Sequence, residues 1–136
     1  NFFLTYGDGV SNIDIKKLLK FHLKNKKIAT ITAVRPPVKF GELIINKNST
    51  VRSFLEKPQV SKGWINGGFF VLNRKVFDFI PNYNNMFEQE PLNKLTQIKQ
   101  LIAFKHHGYW KCMDNLNEKN QLEKIYEKYK SIWKIN

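Results

Sequence analysis

Residues 1–34 read as a strand, a glycine-flanked turn, an amphipathic helix and a second strand, a succession that points to an α/β fold. Phe2-Phe3-Leu4 is a short apolar run that delivers Thr5-Tyr6-Gly7-Asp8-Gly9-Val10. Ile15, Leu18, Leu19 and His22 then recur at the i, i+3, i+4, i+7 spacing of one buried helix face, with Ser11 or Asn12 as the expected cap and Asp14 in the first turn. His22 ends that stripe and reads as a packed histidine. Ile28 to Val34 is β-branched, apolar and too short for an independent helix. Parallel strands joined in this way cross over right-handed.

Arg35-Pro36-Pro37 stops regular structure, because proline cannot donate to a ladder. Phe40 to Ile45, the turn residues Asn46 to Ser49, and Thr50 to Leu55 read as a hairpin. Trp64 to Leu72 is a strand containing Gly67 and Gly68, Arg74 to Ile80 and Glu88 to Ile98 are covering helices, and Leu101 to Lys105 is a last strand candidate. A closing helix, Glu118 to Lys130, is expected to pack through Leu122, Ile125, Tyr126 and Tyr129. The predicted architecture is a Rossmann-like mixed, mainly parallel sheet flanked by helices, with a β-hairpin excursion. With 136 residues and 42% hydrophobic content, one core and one domain over 1–136 are expected.

A formal charge of +12 draws anionic partners without choosing among them. The three arginines, Arg35, Arg52 and Arg74, are scattered, whereas a nucleic-acid surface would cluster them with aromatics on one element. No nucleic-acid or membrane partner is therefore expected. Neither a signal peptide nor a membrane span is legible, and the single cysteine, Cys112, forms no internal disulfide, which suits a cytoplasmic protein.

Chemistry is concentrated at strand ends. Asp8, between two glycines, occupies the place where an α/β protein presents a working carboxylate to its crevice, or else an ordinary Asp-Gly turn. Glu56-Lys57-Pro58 closes the hairpin's return strand, either as an exposed ion pair or as a carboxylate for sugar hydroxyls beside an ammonium for a phosphate. Asn66-Gly67 sits inside a strand where glycine marks a bulge, a close ligand or a neighbouring aromatic. His106 and His107 are adjacent on an extended segment and so point apart, which makes them a poor metal pair. Cys112 reads as a small buried hydrophobe. Asp114 precedes the last helix as a strand-end acid, with an N-cap role for it or Asn115 as the alternative. If Asp8 and Asp114 converge, they suit Mg²⁺, which takes one or two carboxylates and fills its remaining positions with phosphate oxygens and water.

Thr5-Tyr6-Gly7-Asp8-Gly9-Val10, Thr32-Ala33-Val34-Arg35-Pro36-Pro37, Phe40-Gly41-Glu42-Leu43, Phe54-Leu55-Glu56-Lys57-Pro58, Gly63 to Phe70 and Trp110-Lys111-Cys112-Met113-Asp114 resemble, in order and spacing, the sugar-1-phosphate nucleotidyltransferases. The resemblance implies CTP and glucose 1-phosphate as substrates, CDP-glucose and pyrophosphate as products, Mg²⁺ as cofactor, and a homo-oligomeric enzyme serving surface-polysaccharide synthesis. It implies Asp8 and Asp114 as metal ligands, Lys57 on the sugar phosphate, Glu56 and Asn66 on the glucose hydroxyls, and Gly41 lining the sugar pocket, beside Gly67. Arg35 is a further phosphate candidate. The family's Gly-rich loop, of the type Leu-Ala-Gly-Gly-x-Gly-Thr-Arg, has no match here. The chain is therefore expected to be a C-terminal portion that lacks the nucleotide-binding unit and is inactive alone. A relative using another base or hexose, a degenerate homologue, and a basic anion- or nucleic-acid-binding module are the competing readings.

Overall fold

The computed structural model describes residues 1–36, 42–55, 63–81, 84 and 86–128. Its main sheet has four strands in the order β1 (Phe2–Thr5), β6 (Ile65–Leu72), β3 (Ala29–Val34) and β7 (Leu101–Lys105). β6 runs antiparallel to both β1 and β3, whereas β3 and β7 pair in parallel. Three of the four strands thus share a direction, and the sheet is mixed. β1 and β3 do not touch as a simple β-α-β pair, because β6 lies between them.

That insertion explains the core. β6 is buried nearly throughout its carboxyl half and presents alternate residues to opposite faces. Phe70 and Leu72 pack with Ala29, Val76, Leu92 and Leu95 beneath the 3₁₀ helix Arg74–Phe79 and α2 (Glu90–Gln97). Val71 faces the other way, onto Ile13 and onto Leu18 of α1 (Ile15–Asn25). Helices therefore cover both faces of the sheet, the arrangement expected for this class.

Local signals shifted by a few residues for identifiable reasons. Asp14, not Ser11 or Asn12, caps α1, accepting from the Lys17 amide at 2.9 Å. The Ser11 hydroxyl is occupied elsewhere, donating to the Tyr109 carbonyl at 2.8 Å, and the Asn12 backbone amide donates to the same carbonyl at 3.1 Å. His22 is buried as expected, with Nδ1 2.9 Å from the Thr30 hydroxyl and Nε2 3.2 Å from Asn1 Oδ1. α2 begins at Glu90, with Pro91 in its first turn, where the missing amide hydrogen costs nothing. Arg74 to Phe79 forms a 3₁₀ helix capped by Asn73, which accepts from the Lys75 amide.

The hairpin forms as β4 (Glu42–Ile45) and β5 (Val51–Leu55), an antiparallel ribbon of its own. β2 (Gly9–Ser11) and β8 (Trp110–Cys112) make a second short antiparallel ribbon. α3 spans Leu116–Lys128; its Leu122 is buried, but Tyr126 is 55% exposed instead of packed, and Tyr129 lies outside the described residues. Among the described residues no helix is long and apolar enough to cross a membrane.

Candidate active site

The β2–β8 ribbon positions the two acids singled out above. Gly9 pairs with Cys112 and Ser11 with Trp110, so the strands register from the helix side toward Asp8. The ladder continues one step further, where the Met113 amide donates to the Asp8 carbonyl at 2.9 Å. Asp8 therefore faces Met113, and Asp114 is the next residue along. Two segments from opposite ends of the chain arrive at one end of one ribbon.

Asp8 lines a cleft of about 180 Å³ together with Tyr6, Gly9, Asn66, Gly67, Gly68, Trp110 and Cys112. Among the described residues the Asp8 carboxylate has no hydrogen-bond or ion-pair partner. Asp114 does not line this cleft; its Oδ2 accepts a long 3.5 Å contact from the thiol of Cys112, which does. Burial and the charge of Asp114 push the Cys112 thiol above its ordinary range. Cys112 is only half-buried, so it is a wall of this cleft more than a core residue.

Asp114 is released from capping by its neighbours. Asn115 Oδ1 accepts from the Glu118 amide at 3.0 Å, and Glu118 Oε2 accepts from the Asp114 amide at 2.8 Å. This reciprocal cap satisfies the helix start through Asn115 and Glu118 and leaves the Asp114 side chain outside it.

The opposite wall is built by β6. Gly67 leaves no room for a side chain, since a Cβ there would lie 2.8 Å from Val34 Cγ1 and 3.1 Å from the Thr32 carbonyl oxygen. Gly68 has φ +77°, and the Tyr6 ring sits against it. Trp110 Nε1 donates to the Gly67 carbonyl at 2.8 Å, tying the ribbon to the sheet. Asn66 is held at both ends: Nδ2 donates to the Tyr6 hydroxyl at 3.1 Å, and Oδ1 accepts from the Gly68 amide at 2.8 Å. The Tyr6 hydroxyl in turn donates to Glu88. Burial, then the Glu88 hydrogen bond, pushes the Tyr6 phenol up to about 12.

Tyr6 and Glu88 are site-shaping residues that the sequence alone did not mark, since nothing in their spacing announces a contact between them. Trp110 is a third, visible only as part of a motif. Arg35 does not line this cleft; its guanidinium is 4.6 Å from the centre of the Trp64 ring. Glu56, Lys57 and Gly41 lie outside the described residues. His106 approaches the Ser11 hydroxyl at 3.2 Å, while His107 packs edge-on against Trp64, so the two histidines do part as expected.

As for a metal, no cluster of three or more His, Cys, Asp or Glu side chains converges among the described residues. Asp8 and Asp114 are hard oxygen donors, the ligand type taken by an ion that completes its shell with phosphate oxygens and water, as Mg²⁺ does.

The chain is 50% identical, over 98% of its length, to the glucose-1-phosphate cytidylyltransferase of Salmonella typhimurium, and spans 51% of that relative. It is 38% identical, over 98% of its length, to the probable glucose-1-phosphate cytidylyltransferase of Bacillus subtilis, spanning 52% of it. The chain thus covers about half the length of these curated relatives. A crystal structure of HddC from Yersinia pseudotuberculosis superposes with a TM-score of 0.63 at 26% identity, over 91% of this chain and 55% of that one. The same protein complexed with GMP-PN matches equally, at 0.63 and 27% identity, over the same shares of the two chains. The nucleotidyl transferase family model matches residues 1–127, and the chain belongs to that family.

Proposed function

We propose that this chain contributes the sugar-phosphate and metal-binding portion of an enzyme that transfers a cytidylyl group from CTP to α-D-glucose 1-phosphate, giving CDP-glucose and pyrophosphate. The observation that carries this reading is the hydrogen bond from the Met113 amide to the Asp8 carbonyl, which brings two strand-end aspartates to one end of one ribbon. The names of the Salmonella and Bacillus relatives support cytidine and glucose over another base or hexose.

In this reading Asp8 and Asp114 hold Mg²⁺. The ion, when bound, would neutralise charge on the phosphates and on the departing pyrophosphate. The remaining residues bind and orient. Lys57 meets the sugar phosphate with Arg35 as a second cation, Glu56 and Asn66 accept from and donate to glucose hydroxyls, and the backbones of Gly41 and Gly67 border the sugar. Among the described residues Asn66 uses one of two N–H groups and one of two lone pairs, so it retains capacity for a hydroxyl. No strong general base is required, because a sugar phosphate is already ionised at neutral pH. Its oxygen attacks the α-phosphorus in line as the bond to pyrophosphate breaks.

The sequence has no Gly-rich loop of the family type. Base recognition and the triphosphate cradle therefore fall outside this chain's contribution, and the chain alone is expected to be inactive. Pyrophosphate release from CTP and glucose 1-phosphate would be measured for this chain and for a longer polypeptide that joins it to a segment carrying such a loop. Activity confined to the longer polypeptide is the expected result. Equal turnover by both, or turnover by neither, would overturn the reading.

A further inference from the structure

We infer that Arg35, Lys105 and Trp64 form a binding site for a multiply charged phosphate group. The inference rests on the nucleotidyl-transfer reading only in that Arg35 serves there as a second cation for the sugar phosphate; Lys105 and Trp64 did not enter that reading.

The sheet register builds the cluster. Val34 pairs with Ile65 across β3 and β6, and Ala33 pairs with Lys105 across β3 and β7. One step beyond the first pair, Arg35 meets Trp64, and Lys105 approaches from the other side of β3. The Arg35 guanidinium is 4.6 Å from the centre of the indole and the Lys105 ammonium 5.4 Å from it. His107 packs edge-on against the same ring, with centroids 5.3 Å apart at 84°, and so fixes the indole plane.

Two cations that share one ring lie within about one Debye length of each other, about 10 Å at 0.1 M salt, and repel. Each is attracted to the electron-rich indole face, which holds it in place. Among the described residues no carboxylate pairs with either, whereas Lys17, Lys94 and Lys119 all have acidic partners. Both cations are exposed and the ring is half-buried, so the charges point outward from a rigid base. A cationic pair pre-positioned in this way gains most from an anion that can meet both charges at once. A phosphate group with several oxygens and more than one charge does so, and the guanidinium fork matches its geometry. A neutral sugar or an apolar partner would leave the repulsion unrelieved.

Binding of inorganic pyrophosphate and, separately, of glucose 1-phosphate to the metal-free protein would be measured by calorimetry at constant ionic strength. The variant Arg35→Gln/Lys105→Gln is compared with the charge-matched control Lys94→Gln/Lys119→Gln, whose lysines are paired to Glu90 and Glu123 at 2.6 Å. All four side chains are on the surface, so both variants should fold. The site variant should lose about tenfold or more in affinity for at least one probe while the control keeps wild-type binding. The probe that loses more tells a free anion from a phosphate ester. Wild-type affinity for both probes in the site variant, or an equal loss in the control, would overturn the site.

Discussion

The Met113 amide donates to the Asp8 carbonyl at 2.9 Å, and through this one bond the third residue beyond β1 and the last residues before α3 become neighbours. Everything proposed for a metal depends on that ribbon. Because the Asp8 carboxylate takes no bond from the described residues, its replacement tests chemistry separately from folding. In a complete enzyme, Asp8→Asn and Asp114→Asn are each expected to lower turnover by roughly a hundredfold or more. Thermal unfolding of Asp8→Asn should stay close to wild type. Turnover indifferent to both changes would remove the metal assignment.

Tyr6 predicts an alkaline signature. Its phenol is raised to about 12 by burial first and the Glu88 hydrogen bond second, against about 10 in an unfolded chain. The unfolded state therefore loses its proton first as pH rises. The contribution is fully present below pH about 10 and disappears between about 10 and 12. Tyr6→Phe should flatten stability over that window in urea titrations. The same change frees Asn66 Nδ2, so in the complete enzyme it should raise KM for glucose 1-phosphate more than it lowers kcat.

His22 acts in the opposite range. Burial holds its folded pKa below the ordinary value. As pH falls below about 6.5 the unfolded chain takes up a proton that the folded one resists. Stability attributable to His22 is thus present at neutral pH and declines on acidification. Comparing unfolding at pH 7 and pH 5 should show a smaller acid loss in His22→Gln than in the wild type.

Gly67 and Trp110 test the joint between ribbon and sheet. Gly67→Ala places a methyl 2.8 Å from Val34 Cγ1 and should cost about 1–3 kcal/mol by overpacking. Trp110→Phe leaves the buried Gly67 carbonyl without its donor and should cost about 1–3 kcal/mol. Denaturant midpoints would measure both. The Trp110 change should also loosen the ribbon, giving faster amide exchange at Met113 than in the wild type.

Much of this was legible in residue order. The amphipathic face of α1 ended on His22 because the i, i+3, i+4, i+7 stripe is a property of the helix itself. The hairpin around Asn46 to Ser49 followed from its turn residues. The cap of α1 falls on Asp14 and not on Ser11 or Asn12, because both residues are drawn into backbone pairing with the far end of the chain, Ser11 through its hydroxyl and Asn12 through its amide, each to the Tyr109 carbonyl. Tyr126 has the right spacing for a packing face, yet no described element covers it, and it stays exposed.

The sequence by itself determined most of the strands and helices, though not the short β2 and β8, because periodicity, turn chemistry and proline act over a few residues. Only the tertiary structure decided that β6 would lie between β1 and β3, that Gly9 would register with Cys112, and that Tyr6 would reach Glu88. Those are pairings between residues far apart in the chain. Their free energy comes from burying both faces of β6 and satisfying the ribbon's amides, which no local pattern encodes.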